Sequence, residues 1–195
     1  IIGTLLIKLT EPVSWLCALF HSVSTRTAGF ASRPIGDFGA PALLVMIVLM
    51  FIGACAGSTG GGIKVSRILI LCKTVRKELH IFLHPNAVKK IKMDGKAIPH
   101  EVVRSTNIFF IVYMLIFASS IFLIAFDDFN LITNFTAVAA TFNNIGPGLE
   151  LVGPTGNFGM FSWFSKLILT FDMLAGRLEI FPLLILFVRD TWKKF

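Results

Sequence analysis

The sequence predicts an all-α membrane protein in which short re-entrant helices alternate with longer, spanning or broken ones. Three observations carry that expectation. The 195-residue chain is 55% hydrophobic and only 15% charged, with a mean hydropathy of +0.80. Such a composition places it in the membrane class and excludes a soluble enzyme, a disordered tail or a small disulfide scaffold. Segment 102–126 is apolar over 25 residues, about 37 Å as a helix, which crosses a bilayer core of about 30 Å with some tilt. Segments 12–24 and 131–143 are equally apolar but have 13 residues each, roughly 20 Å of helix and too short to cross. A short apolar helix that turns back inside a membrane leaves backbone groups unpaired, which is tolerated only within protein or beside a water-filled cavity.

The elements follow in order. The chain opens on Ile1, in mid-run, with no basic n-region and no small-residue cleavage site. It is therefore expected to be a fragment that begins near the end of a spanning helix at residues 1–8. After the re-entrant helix 12–24 comes a polar turn at 25–30, then an apolar run over 41–72. As one helix that run would reach about 48 Å, too long for a simple span. Gly57-Ser58-Thr59-Gly60-Gly61-Gly62 breaks it in the middle, so two half-helices joined by an intramembrane loop are expected. A basic loop over 73–101 leads to the spanning helix 102–126, the second re-entrant helix 131–143 and a second turn at 144–148. The last segment, 159–189, would reach about 46 Å and is expected to be interrupted at Gly176-Arg177 and again at Pro182.

An internal repeat underlies this order. At an offset of 117, Gly29 lies over Gly146, Ile35-Gly36 over Val152-Gly153, Gly39 over Gly156, Ile63 over Ile180, and Gly60 over Arg177. Each unit is a spanning helix, a short re-entrant helix, a Gly-containing turn and an interrupted long helix. The chain holds about one and three-quarter such units, and neither unit can enclose a pore alone.

The net charge of +7 comes from 18 Lys and Arg against 11 Asp and Glu. Ten of those basic residues fall between Lys64 and Arg104, with only three acids among them. Arg189, Lys193 and Lys194 add to the C-terminus. By the positive-inside rule both the 73–101 loop and the C-terminal tail are expected in the cytoplasm. The opposite connections carry Asp37, Asp127, Asp128 and Glu150, with Arg33 as the exception. The same orientation suits a basic loop that touches anionic lipid head groups, and a charge so placed does not call for nucleic acid.

The turns carry the chemistry. Thr27-Ala28-Gly29-Phe30 has the order of a potassium-channel filter, T-V-G-Y, and Asn144-Ile145-Gly146-Pro147-Gly148 matches T-V-G-Y-G at its glycines. An ion that leaves water must be re-coordinated by oxygens, and backbone carbonyls aimed at one axis need φ values that glycine adopts at little cost. Gly29 and Gly146 are expected in that conformation, with the carbonyls of Thr27, Ala28, Asn144 and Ile145 nearest the ion. The preceding helices would aim their negative dipole ends at it. Singly, either turn reads as an Asx-type loop; as a repeat, each after a helix too short to cross, they read as a filter for K+.

The glycine stretch 57–62 fits no nucleotide motif, because Gly62-Ile63-Lys64-Val65 lacks the Gly-Lys-Ser/Thr order. Gly53, Gly57 and Gly61 suit small-xxx-small helix packing, and the alternative is a flexible constriction below the filter. Arg177 is costly at mid-membrane and is expected either to pair with Glu179 or Asp172 or to stand as a fixed positive charge beside the ion path. His80 and His84 have i, i+4 spacing but no third ligand, and read as a solvated face. Cys17, Cys55 and Cys72 are scattered singly and read as inert buried thiols. Asn134-Phe135-Thr136 is a glycosylation sequon in a buried helix. No GxSxG, HExxH or paired-acid constellation is present, so no enzymatic activity is expected. A secondary transporter with broken helices at the midplane is the rival architecture, but it predicts inverted repeats.

At this point STRTAGF (24–30), NNIGPGL (143–149), GACAGSTGGGIKV (53–65) and MLAGRLEIF (173–181) resemble the TrkH family within the Trk/Ktr/HKT superfamily of bacterial potassium transporters. HPNAVKKIK (84–92) points to the same family. The resemblance implies four M1-P-M2 repeats around one pseudo-fourfold pore. Residues 1–72 would be the third repeat without most of its M1, and 102–195 the fourth, with M1 at 102–126 and M2 at 159–189. It implies K+ as the permeating ion, filter carbonyls from Thr27, Ala28 and Gly29 and from Asn144, Ile145 and Gly146, an intramembrane gate at Gly57, Ser58, Thr59, Gly60, Gly61 and Gly62, and Arg177 as a pore arginine. It further implies a homodimer in the inner membrane with a cytosolic, nucleotide-binding TrkA-type ring as partner.

Overall fold

A computed structural model of the chain describes residues 1–55, 57, 58, 60–85, 90–178, 180 and 185. Seven α-helices make up most of it: α1 (Ile2–Thr10), α2 (Trp15–Ser24), α3 (Ala40–Phe51), α4 (Val65–Leu83), α5 (His100–Ile124), α6 (Leu131–Phe142) and α7 (Trp163–Leu178). The fold is that of an all-α membrane protein. In the first unit α1, α2 and α3 pack on one another; in the second, α5 and α7 both pack on α6, and α3 touches α6 across the two units.

α5 starts after Pro99, which has no N–H to lose at a helix start, and contains neither Gly nor Pro over its 25 residues. Val103, Phe109, Tyr113, Phe117 and Ile124 form its buried face at helical spacing. Ile111, Leu115 and Phe122 on the other side are exposed, the side a lipid-facing helix presents. α2 is bounded at both ends: Ser14 caps its start by accepting from the Cys17 N–H at 3.2 Å, and its last carbonyls are taken up by the following turn. α6 is the most enclosed element, with Ala137, Val138, Ala139, Ala140 and Phe142 all at 0% exposure. Since lipid is as apolar as leucine, helices in a bilayer associate through close packing, and the small alanines of α6 let α5 and α7 approach. Tyr113 and Phe142 pack ring to ring with centroids 4.5 Å apart in this core.

The run over 41–72 does break. α3 ends at Phe51 and α4 begins at Val65. The intervening loop folds back on itself as Gly53 donates to the Ile63 carbonyl at 2.9 Å and Ile63 to the Phe51 carbonyl at 3.1 Å. Among the described residues the second unit shows no break at Gly176-Arg177: α7 continues through both to Leu178. A Cβ at Gly176 would collide with the Phe142 carbonyl, so this glycine serves the close approach of α7 to α6 rather than a bend. Pro182 and the tail cations Arg189, Lys193 and Lys194 lie outside the described residues.

The basic stretch 73–101 is also more ordered than a loop. α4 extends to Leu83, and Lys92–Met93 pairs antiparallel with Lys96–Ala97 around Asp94 and Gly95, both with positive φ (50° and 79°). Asp-Gly at a two-residue hairpin turn is the favoured pair because both positions need φ above zero. The thiols differ from expectation too: Cys55 and Cys72 are exposed and Cys17 is half-buried. Cys72 stands on α4, along which only Ile70 is buried.

Candidate functional site

The two turns follow the C-terminal ends of α2 and α6, and their backbones share a pattern. Thr27 and Gly29 have φ of 75° and 76°; Asn144 and Gly146, their equivalents at the 117 offset, have φ of 54° and 111°. Glycine adopts such values freely and asparagine more readily than most residues. The positive φ at Thr27 is the costly one, because a β-branched residue there must be held by its surroundings.

Hydrogen bonds show which way these peptides face. Ala28 and Gly29 donate their N–H groups back to the Ser24 carbonyl at 3.0 and 2.9 Å. Ile145 and Gly146 donate to the Ala140 carbonyl at 2.8 and 3.4 Å. In a trans peptide the carbonyl points opposite to the N–H of the same unit. The carbonyls of Thr27, Ala28, Asn144 and Ile145 therefore point away from the two helix ends, and none accepts a hydrogen bond from any described residue. Four carbonyls from equivalent turns, left open by the described residues, form a set of oxygens suited in chemistry to a desolvated cation. Both helices also direct the negative ends of their dipoles to this place.

The turns of the two units meet. A Cβ at Gly29 would collide with the Ile145 carbonyl, and Gly29, Phe30, Ile145 and Pro147 border one small cavity. The glycine-rich loop lies directly against both turns. A Cβ at Gly60 would sit 3.0 Å from Thr27 Oγ1, and one at Gly61 would sit 2.5 Å from the Asn143 carbonyl. Gly57 and Gly62 have φ of 83° and 72°. Ser58, Gly60, Gly62, Gly176 and Arg177 line a second cavity of about 100 Å³, together with Lys64 and Arg67. Thr59 lies outside the described residues. Arg177 is exposed and forms no ion pair with a described residue. Asp172, one of its expected partners, is instead buried between α5 and α7, where it accepts from the Ser120 hydroxyl at 2.7 Å; Glu179 lies outside the described residues.

Two supports of the site escape sequence reading. Asn143 is fully buried; its Oδ1 accepts from the Tyr113 hydroxyl at 2.7 Å, and its Nδ2 donates to the Ala139 carbonyl at 2.8 Å. Asn144 Nδ2 donates to the Met173 carbonyl at 3.1 Å, tying the second turn to α7. The signal for the first lies in the composition: Tyr113 is the single Tyr of the chain, a polar tip within an apolar helix. Tyr113→Phe strands a buried acceptor beside the second turn. It is expected to lower stability by about 1–2 kcal/mol, read as a lower midpoint of thermal unfolding in detergent; an unchanged midpoint would remove Asn143 from the supporting framework.

His80 and His84 have ring centroids 5.2 Å apart, and among the described residues no group of three His, Cys, Asp or Glu side chains could hold a metal ion.

Helical architecture and paired turns, each after a short apolar helix, define an all-α membrane protein built from repeated units. The family described as "TrkH: Cation transport protein" matches residues 5–194. The chain belongs to that family. It is 42% identical over 181 residues to the Trk system potassium uptake protein TrkH of Salmonella typhimurium, covering 91% of this chain and 36% of the relative. It is 44% identical over 179 residues to TrkH of Vibrio parahaemolyticus, covering 90% and 36%. With TrkG of Escherichia coli the identity is 34% over 165 residues, 85% of this chain and 34% of that protein. The fold is similar to the crystal structure of the potassium transporter TrkH from Vibrio parahaemolyticus, with a TM-score of 0.86 at 38% identity, over 98% of this chain and 42% of that one. The chain therefore spans about a third of the length of the curated relatives it matches, 36% of the first of them.

Proposed function

We propose that the chain forms part of a passive, selective path for K+ across a bacterial inner membrane, in which the two turns contribute half of the filter's carbonyl ligands. The observation that carries this reading is the set of four carbonyls, from Thr27, Ala28, Asn144 and Ile145, that point away from the helix ends and accept no hydrogen bond from the described residues. Gly29 and Gly146 complete the filter by letting the backbone turn. K+ passes down its electrochemical gradient, and the protein exchanges hydration oxygens for carbonyls without making or breaking a bond. The remaining ligands come from two further repeats, consistent with the length of the relatives. The basic end of α5, with the 73–101 segment and the C-terminus, faces the cytoplasm. The protein works there as a homodimer with a nucleotide-binding subunit of the TrkA type, in keeping with the relatives' designation as parts of a Trk system.

The glycine loop 57–62 acts as the gate beneath the filter. It reaches both turns and, with few side chains of its own, moves aside without repacking a core. Arg177 borders the same cavity as Ser58, Gly60 and Gly62, which supports reading its charge as one that a cation leaving the filter passes. A unit charge within about 10 Å of the ion, at an effective dielectric near 20, changes its free energy by about 1–2 kcal/mol. Arg177→Ala is therefore expected to raise K+ flux in proteoliposomes by roughly 10-fold and to alter its voltage dependence. Flux and voltage dependence equal to the parent protein's would remove Arg177 from the ion path. The function as a whole is tested by growth and Rb+ uptake in potassium-starved cells lacking their own uptake systems: uptake that saturates with K+ and is indifferent to Na+ supports it, and equal uptake of both ions contradicts it.

A further inference from the structure

We propose that the cleft between α4 and the start of α5 binds an anionic phospholipid, taking the phosphate of its head group at the basic end of the cleft and one acyl chain along α5. The site lies far along the chain from the turns and is not part of the ion path. It rests on the reading of α5 as a bilayer-spanning helix.

The cleft has a volume of about 720 Å³, within the range of pockets that enclose most of a small ligand. Four groups capable of positive charge border it: Lys77 from α4, Lys90 from the segment before the hairpin, and His100 and Arg104 from the first turns of α5. One carboxylate is present, Glu78, whose Oε1 lies 3.5 Å from Lys77 Nζ. The side chains of Lys90, His100 and Arg104 make no hydrogen bond or ion pair with any described residue, and all three are exposed. With Glu78 set against Lys77, the other three groups face the cleft without a carboxylate of their own, and cations so gathered are a site for an anion. The first N–H groups of α5 and the positive end of its dipole stand at the same end.

The opposite wall says which anion. Arg104, Ile108 and Ile111 follow one another at i, i+4 and i+7, one stripe of α5. Ile108 and Ile111 also line the cleft, and they remain 41% and 58% exposed on the segment long and apolar enough to cross a membrane. A cationic mouth that continues into an apolar lane on a spanning helix matches a charged head joined to a hydrocarbon chain, and a soluble phosphate compound has nothing to place in that lane. The floor is firm: Ile70 of α4, Ile91 and Val103 of α5 form a buried cluster of their own, which pins the Lys90 segment to both helices.

The test is native mass spectrometry of the purified, delipidated protein titrated with phosphatidylglycerol or with phosphatidylcholine. Phosphatidylglycerol is expected to bind at least about 10-fold more tightly. The double substitution Lys90→Gln and Arg104→Gln is expected to weaken phosphatidylglycerol alone by roughly 10- to 30-fold, while Lys96→Gln, in the hairpin outside the cleft, changes neither lipid. Circular dichroism melting of the variants separates lost binding from lost folding, and competition by inorganic phosphate on the unaltered protein needs no variant at all. Equal binding of the two lipids, an unaffected double variant, or an equal loss in Lys96→Gln overturns the proposal. So does displacement of the lipid by inorganic phosphate at matching concentration, which would make the cleft a soluble-phosphate site. None of these readouts uses K+ flux, so the filter assignment stands or falls separately.

Discussion

Gly29→Ala is expected to lower the K+ over Na+ preference of flux by at least about 10-fold, with total uptake reduced as well. Two effects add. At φ of +76° an L side chain costs roughly 1–2 kcal/mol relative to glycine. The new Cβ would also collide with the carbonyl of Ile145, one of the proposed ion ligands. Backbone stands on both sides of that contact, so no rotamer change relieves it, and the turns must move apart. The two effects are separable by position. Gly146 has φ of +111° but no atom within 4 Å of its added Cβ, so Gly146→Ala carries the strain without the collision and should impair selectivity less. Gly36→Ala, with an equally open surrounding and no positive φ, should leave uptake unchanged. Flux measurements on these three variants, in that order of severity, check the account; a Gly29→Ala protein with native selectivity would remove the contact between the turns from the filter.

Gly176→Ala is the second large effect, and its sign decides between two forces. In the interior of a helix alanine is favoured over glycine by about 1 kcal/mol, so propensity alone predicts a more stable α7. Packing opposes it: the added Cβ would run into the Phe142 carbonyl and stand 2.9 Å from Asn144 Nδ2. Overpacking of this kind costs typically 1–3 kcal/mol, and here the obstacle is backbone of the most enclosed helix. The net expectation is a loss of up to about 2 kcal/mol, seen as a lower thermal midpoint. A fall in flux should accompany it, because Asn144 bonds α7 through the Met173 carbonyl and is displaced with it. A raised midpoint would mean that α7 does not rely on this close approach.

Gly176 also shows where sequence reading stops. A glycine beside an arginine in a 31-residue apolar run looks like the break at Gly57–Gly62, yet α7 is continuous there. Glycine permits both a bend and a close helix contact, and only the neighbouring element decides between them. Much else was legible because local chemistry determines it. Length alone marks α2 and α6 as too short to cross and α5 as long enough, and six residues of glycine, serine and threonine cannot sustain a helix within 41–72. The positive φ at Gly29 and Gly146 follows from the turn, whereas that of Thr27 does not, since nothing in a threonine announces it. The bonds of Asn143 to Tyr113 and of Asp172 to Ser120 join residues 30 and 52 positions apart, a separation that carries no periodic signal. The exposure of Cys55 and Cys72 is not legible in the sequence, because an apolar run does not say which side faces lipid or another repeat. The hairpin at Asp94-Gly95, by contrast, had its signal in plain view within the basic segment.

The backbone of two equivalent turns is proposed to bind the permeating ion. That binding is tested most directly by anomalous diffraction from crystals of the natural protein soaked in Tl+, which substitutes for K+ and scatters strongly. The account predicts a Tl+ peak held between residues 27–29 and 144–146, in contact with the carbonyl oxygens of Thr27, Ala28, Asn144 and Ile145, and its loss in Gly29→Ala. Well-ordered Tl+ elsewhere along the chain, with none between the two turns, would contradict it.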